Sequence, residues 1–331
     1  MEFPGRIAII GGGSFATALA KIALESCERI DWYLRKASVI KDFKQLHHNP
    51  RYLTSVHFDT NRITFHSDIN KAIEAADTLI FATPSPFFKQ HMTNVKVSLT
   101  DKFIISAIKG IVPDENMLIT DYLRLYFNVS DNQMAALGGP CHAEEIALER
   151  LTYVTVACTD MRRAEALALL LSNHYVRVTC CQDVLGVEYA TVLKNVYAIG
   201  AGICHGLKLG DNFQAVYVSN AIREMRSFVH AVLGMKRDII DSVYLGDLLV
   251  TAYSRFSRNR TFGTMIGKGY SVKTAQLEME MIAEGYYGTK CLHQINEELR
   301  VEMPMLDMVY SILYEKADSK ERVEKLALTF N

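Results

Sequence analysis

The apolar run RIAII (6–10) breaks at once into Gly11-Gly12-Gly13-Ser14-Phe15-Ala16. A strand that turns on glycines directly into a helix constrains the fold more than any other feature of this chain. Gly11 allows the tight turn, Gly13 lets the backbone approach a pyrophosphate, and Ala16 permits close packing of helix on sheet. A glycine-rich turn alone is often only a turn. Its place after the first strand, before a helix over Ser14–Ser26 and then a second strand, reads as a dinucleotide-binding signature.

The rest of the first half repeats that opening. Short apolar runs recur at IDWYL (30–34), TLIFAT (78–83), KFIIS (102–106), MAALG (134–138), YVTVA (153–157) and VRVTC (176–180). Amphipathic stretches such as VIKDFKQLHH and MRRAEALALLLSN lie between them. Strands alternating with helices predict an α/β fold, a doubly wound, mostly parallel sheet of Rossmann type. After Val184 the strand-like runs cease, and segments such as VSNAIREMRSFVHAVL, TAQLEMEMIAE, TKCLHQINEEL and DMVYSILYEKA have helical period. The expected organisation is therefore a dinucleotide-binding domain over 1–183 and an all-helical domain over 184–331.

Composition excludes several classes of partner. Lys plus Arg (36) balances Asp plus Glu (37), so no overall field favours nucleic acid or an acidic membrane. No uninterrupted apolar run approaches the roughly 20 residues of a membrane span, and the N-terminus has no signal-like core. Seven cysteines without C-x-x-C spacing argue against a disulfide framework and a zinc site and fit a reducing, cytoplasmic setting. The histidines lack metal-ligand spacing, so no metal is expected.

Against this background one charge is conspicuous. Lys194 and Asn195 interrupt the apolar helical segment VLKNVYAIGAGI (192–203). A buried ammonium costs several kcal/mol unless it snorkels out or meets an anion. Other candidates stand where parallel sheets bind ligands, at carboxyl ends of strands: Pro84-Ser85 after TLIFAT, Lys109-Gly110 after KFIIS, and Gly138-Gly139-Pro140 after MAA. In the helical half, Asp247 and Thr251 are four apart and share a helix face. Ser257-Arg258-Asn259-Arg260, leading into a helix, suits a phosphate clamp, because a guanidinium fork and an amide match phosphate oxygens. The second strand ends in Tyr33-Leu34-Arg35-Lys36, where an acid that bonds the adenosine ribose would normally stand. Arg35 there suits stacking on adenine or meeting a 2′-phosphate, and Asp31, earlier in that strand, reads as a solvated strand-end charge.

These residues together resemble the bacterial type of NAD(P)-dependent glycerol 3-phosphate dehydrogenase. The resemblance runs through GGGSFATALA (11–20), NPRYL (49–53), TPS (83–85), IKG (108–110), GGPCHAEE (138–145), GVEYATVLKNVYAIGAGI (186–203), GLKLGDN (206–212), LGDLLVTAYS (245–254), SRNRTFG (257–263) and EMP (302–304). It implies reversible reduction of dihydroxyacetone phosphate to sn-glycerol 3-phosphate, the backbone precursor of phospholipids, by a cytoplasmic homodimer. Carried over by position, Lys194 matches the catalytic lysine, Lys109 a second active-site lysine, and Asp247 with Thr251 the polar catalytic face. Asn195, Gly139, Lys109, Arg258 and Asn259 match substrate contacts. Cofactor contacts are implied at Gly11, Gly13, Ser14, Phe15, Arg35 and Pro84, and at Lys109, Ala143, Arg258 and Glu284.

On this reading hydride goes to C2 and Lys194 donates the proton to the oxygen on C2, with Asp247 orienting it. Either NAD or NADP serves, NADPH at least as well as NADH. The chain departs from the family pattern in having Phe15-Ala16 in the glycine turn and Cys141-His142 where the family has a serine. Two rival readings remain at this stage: a two-domain hydroxy-acid dehydrogenase, and a dinucleotide sensor without turnover.

Overall fold

The computed structural model describes residues 3–330 apart from 236 and 280. Its first half carries eight strands: β1 (Ile7–Ile10), β2 (Ile30–Tyr33), β3 (Ile63–His66), β4 (Thr78–Phe81), β5 (Phe103–Ser106), β6 (Met134–Gly138), β7 (Thr152–Cys158) and β8 (Val176–Cys181). They form one sheet in the order β3-β2-β1-β4-β5-β6-β7-β8. The first six are parallel, while β7 runs antiparallel to β6 and β8 follows β7. Strand order reverses between β1 and β4, where Ile7–Ile10 pair with Thr78–Phe81. Ligands of open parallel sheets bind beyond such a switch point. Every residue of β1, β2, β4 and β5 is buried, which is why they read as predominantly apolar runs, with Asp31 in β2 the one charge.

Two expectations need correction in this sheet. The strand β3 has no counterpart in the sequence reading: it lies at the sheet edge, and only Ile63 of its four residues is fully buried. Asp31 is not a solvated strand end. It is fully buried in β2 between β1 and β3, where Arg6 Nε (2.5 Å) and His66 Nε2 (2.6 Å) approach its two oxygens. Its carboxylate is fully shielded from water, and the guanidinium offsets the cost of burying that charge.

The helical half is built around Val184–Gly206, buried on all sides through most of its length. Helix Arg258–Gly267 packs on it backbone to backbone: a Cβ at Gly263 would fall on the Ile199 carbonyl, and one at Gly202 on that of Arg260. Side chains near this crossing are thereby brought within direct reach of one another. Helix Gly210–Leu233 supplies Glu224, whose two oxygens accept the N–H groups of Met305 (2.8 Å) and Leu306 (3.0 Å) at the start of helix Pro304–Tyr314. Among the described residues no helix is long and apolar enough to cross a membrane.

Contacts divide the chain into two compact units. One holds the residues through Ile108 together with Ile119–Val187; the other holds Lys109–Leu118 and the chain from Glu188 onward. The segment Lys109–Leu118, which the sequence reading assigns to the first domain, thus belongs with the helices. Polar ties hold it there: Asn116 Nδ2 donates to Gln294 Oε1 (3.1 Å), and the Cys291 thiol to the Pro113 carbonyl (3.6 Å).

Candidate active site

In the first unit the glycine turn is shaped from behind. Gly11 has φ +136°, and a Cβ there would lie 2.6 Å from the Ala82 carbonyl oxygen, so a side chain does not fit. Three successive carbonyls are tied back by side chains. Trp32 Nε1 donates to Gly11 O (2.7 Å), Asn49 Nδ2 to Gly12 O (3.1 Å), and the Thr17 hydroxyl to Gly13 O (2.9 Å). Asn49 Nδ2 also donates to Thr17 Oγ1 (2.8 Å), while its own oxygen accepts from the N–H groups of Arg51 (3.0 Å) and Tyr52 (3.2 Å).

A trans peptide points its N–H opposite its C=O, so holding these carbonyls aims the N–H groups of residues 12–14 the other way. They open onto helix Ser14–Ser26, which starts with no side-chain cap and no acid in its first turn. Nothing lies within 4 Å of where a Cβ at Gly13 would stand. An uncapped helix N-terminus with open space above its glycine fits the pyrophosphate of a dinucleotide. The sequence reading gives no role to Asn49 or Trp32. The available signals were an asparagine inside NPRYL and the chain's single tryptophan.

The other first-unit candidates lie along the same edge of the sheet. Ser14 and Phe15 open the helix, Pro84 caps helix Ser85–Met92 after β4, and Gly139 (φ +102°) and Ala143 follow β6. In the departing loop, the buried Cys141 thiol turns back onto the Gly139 carbonyl (3.1 Å). Arg35 is exposed just past β2. His91, on the helix after β4, stacks edge-on to Tyr33; burial first and the Arg35 charge second hold its imidazole below the usual histidine range.

The second unit collects the charged candidates. Lys194 does not snorkel: it is 4% exposed, and its ammonium donates to Asp247 Oδ1 and to Thr251 Oγ1 (3.1 Å). Asp247 and Thr251, one turn apart on helix Asp247–Tyr253, are likewise buried, and the Thr251 hydroxyl donates to the Asp247 carbonyl (2.6 Å). Lys109 Nζ stands 3.9 Å from the other Asp247 oxygen. Two ammonium groups thus share one carboxylate in a largely dry setting. Removing that carboxylate would leave buried charge uncompensated, at a cost of about 3–5 kcal/mol.

Asn195 and Asn259 meet at the helix crossing, Asn259 Nδ2 donating to Asn195 Oδ1 (2.9 Å). Asn195 Nδ2 in turn donates to the Lys109 carbonyl (2.8 Å), and Asn259 Oδ1 accepts from Gly285 N–H (2.9 Å). Both amides, which the resemblance makes substrate contacts, are therefore also internal ties. Half-buried Arg258 reaches the Ile282 carbonyl (3.5 Å), two residues before Glu284 opens helix Glu284–Leu299. Ser257, which the sequence reading places in the clamp segment, caps the helix that presents Arg258 and Asn259 by accepting from Arg260 N–H (3.2 Å).

A Rossmann-type sheet with an open phosphate turn, followed by a helical unit holding a buried lysine–aspartate pair and a second lysine, defines a two-domain dinucleotide-dependent dehydrogenase. Comparison with known proteins agrees and goes further. Residues 6–164 match the family model for the N-terminus of NAD-dependent glycerol-3-phosphate dehydrogenase, and residues 183–324 match that for its C-terminus. The chain belongs to this family. It is 32% identical over 324 residues to the glycerol-3-phosphate dehydrogenase [NAD(P)+] of Clostridium botulinum, covering 98% of this chain and 97% of that one. The Limosilactobacillus reuteri protein of the same name is 31% identical over 326 residues, 97% of this chain and 96% of that one. The crystal structure of glycerol-3-phosphate dehydrogenase from Coxiella burnetii superposes with a TM-score of 0.90 at 28% identity, covering 98% of both chains. The hydroxy-acid and sensor readings are not favoured.

Proposed function

We propose that this chain catalyses the reversible reduction of dihydroxyacetone phosphate to sn-glycerol 3-phosphate, with Lys194 as the proton donor. The observation that carries the reading is the buried cluster of Lys194, Asp247 and Thr251 with Lys109 beside it. A reduced nicotinamide, when bound, supplies hydride to a carbonyl carbon. Everything else the reaction needs falls to the chain. Negative charge grows on the carbonyl oxygen, and the Lys194 ammonium both stabilises that charge and delivers a proton to the oxygen. Asp247 and Thr251 each take one N–H of that ammonium, which fixes its direction. Lys109 adds a second positive charge in the same dry surroundings. Arg258 offers its guanidinium fork to the substrate phosphate, and binding energy gained there holds the reacting carbon in place.

For the cofactor, the N–H groups of residues 12–14 and the start of helix Ser14–Ser26 would hold the pyrophosphate. Arg35 and Lys36 supply positive charge past β2 where an acid would disfavour a 2′-phosphate, so NADPH serves at least as well as NADH. The working form is a homodimer in the cytoplasm, the dimer supported by the family resemblance and the compartment by seven cysteines that form no disulfide. Following the loss of reduced-nicotinamide absorbance with dihydroxyacetone phosphate, with NADH and NADPH in parallel, tests the activity. No turnover with either cofactor would reject the reading, and sedimentation tests the dimer.

A further inference from the structure

Lys109 enters the helical unit from a segment with no helix of its own, so something must hold its backbone. Three hydrogen bonds do this in series. Gly285 N–H donates to Asn259 Oδ1 (2.9 Å), Asn259 Nδ2 to Asn195 Oδ1 (2.9 Å), and Asn195 Nδ2 to the Lys109 carbonyl (2.8 Å). The two ends fix the direction of the chain. A backbone N–H can only donate and a carbonyl can only accept, so neither amide can flip without setting like against like. Asn195 and Asn259 are buried, which keeps water from replacing a lost bond. Gly285 is closed in as well: a Cβ there would lie 2.6 Å from the Asn195 carbonyl oxygen and 2.9 Å from Asn259 Oδ1.

We propose that Gly285, Asn259 and Asn195 form a positioning chain that sets Lys109 beside Asp247, so that Gly285, which bonds none of the reacting groups, is required for turnover. The proposal rests on the reading of the Lys194 cluster as the site of reduction. It differs from a pure substrate-contact role for the two asparagines, which for Asn259 would be contact with the phosphate. A positioning chain acts on every ketone the site reduces, whereas a phosphate contact acts only on phosphorylated ones.

Asn195→Asp is nearly isosteric, yet it faces the Lys109 carbonyl with an oxygen. Displacement of a catalytic group by an ångström costs on the order of a hundredfold. With Asn195→Asp, kcat for dihydroxyacetone phosphate should fall by about that factor, and kcat/KM for unphosphorylated dihydroxyacetone by a similar factor, with KM for NADH unchanged. Asn259→Asp, which keeps the acceptor for Gly285 but loses the donor to Asn195, should do the same. Gly285→Ala combined with Asn195→Asp should be no worse than Asn195→Asp alone, because both break one chain; if Gly285→Ala does not fold, Asn259→Asp takes its place in the double variant. Loss confined to the phosphorylated substrate, single-variant effects that multiply in the double variant, or kcat within twofold of wild type would each overturn the proposal. An inactive wild-type protein would instead overturn the reading beneath it.

Discussion

The glycine turn after β1 and the cluster around Lys194 solve opposite problems. The turn presents backbone groups: side chains of Trp32, Asn49 and Thr17 work behind it, each holding a carbonyl so that N–H groups face forward. The cluster presents side chains: backbone groups of Lys109 and Gly285 work behind it, as the ends of an amide chain. The turn offers partial charges from many N–H groups at a helix start, suited to an anion of fixed shape such as a pyrophosphate. The cluster concentrates full charges on Lys194, Lys109 and Asp247, suited to charge that appears only during a reaction. Binding and chemistry are thereby assigned to different parts of the chain, and variants should separate them.

The largest effect on the binding side is expected from Asn49. Asn49→Ala frees the Gly12 carbonyl and leaves the N–H groups of Arg51 and Tyr52 without their acceptor; at about 1–3 kcal/mol for an unmade buried bond, dissociation constants should rise roughly tenfold to a hundredfold. NADH and NADPH should suffer alike, because both share the pyrophosphate, and kcat at saturating cofactor should stay near wild type. Titration of each cofactor against the variant checks this. A fall in kcat with unchanged affinity would mean that the two regions are not divided as described.

A smaller effect sharpens the comparison at the edge of the dinucleotide site. Arg35→Asp removes attraction and adds repulsion at the position of the 2′-phosphate. The NADPH/NADH ratio of kcat/KM should shift toward NADH by more than tenfold, about 1.4 kcal/mol. Equal losses with both cofactors would leave Arg35 as an adenine-stacking residue only.

A further effect should appear in stability rather than activity, at a buried carboxyl of the helical unit. Burial pushes Glu224 up to about 8 from its ordinary 4.5, against the opposing pull of the Met305 and Leu306 N–H groups and the Tyr197 hydroxyl. Because the folded value lies above the unfolded one, the folded state holds a proton that the unfolded chain releases. Stability is therefore full below about pH 4.5 and declines as pH rises toward 8, by at most about 1.4 kcal/mol per pH unit. Thermal melting of Glu224→Gln should lack this slope. Parallel wild-type and variant curves between pH 5 and pH 8 would show that Glu224 does not carry it.

The same contrast explains what the sequence made legible. The glycine turn announces itself because its constraint is local: strand, glycines and helix follow one another, and the buried strands read as apolar runs. Lys194 was visible for the opposite reason, as a charge in surroundings that should reject one. Asp247 and Thr251 were paired by their four-residue spacing on one helix. What stayed hidden depends on contacts distant in the chain. Asn195 and Asn259 are 64 residues apart, and no periodicity links either to Gly285 or to the Lys109 carbonyl. Asn49 reaches Gly12 across 37 residues. Asp31 looked solvated because nothing local showed that β3 would flank β2 and bring His66 to its carboxylate, and β3, only partly buried along three of its four residues, did not read as an apolar run. The transfer of Lys109–Leu118 to the helical unit has the same origin, since its anchors lie on helix Glu284–Leu299.

The central claim, that the Lys194 cluster performs the chemistry while the glycine turn holds the cofactor, is tested most directly by Lys194→Ala, with kcat and the NADPH dissociation constant measured on one preparation. Removing a positioned general acid should lower kcat at least about a hundredfold, while NADPH affinity stays near wild type. A kcat within a few-fold of wild type, or a loss of activity accounted for by weaker cofactor binding, would contradict the account.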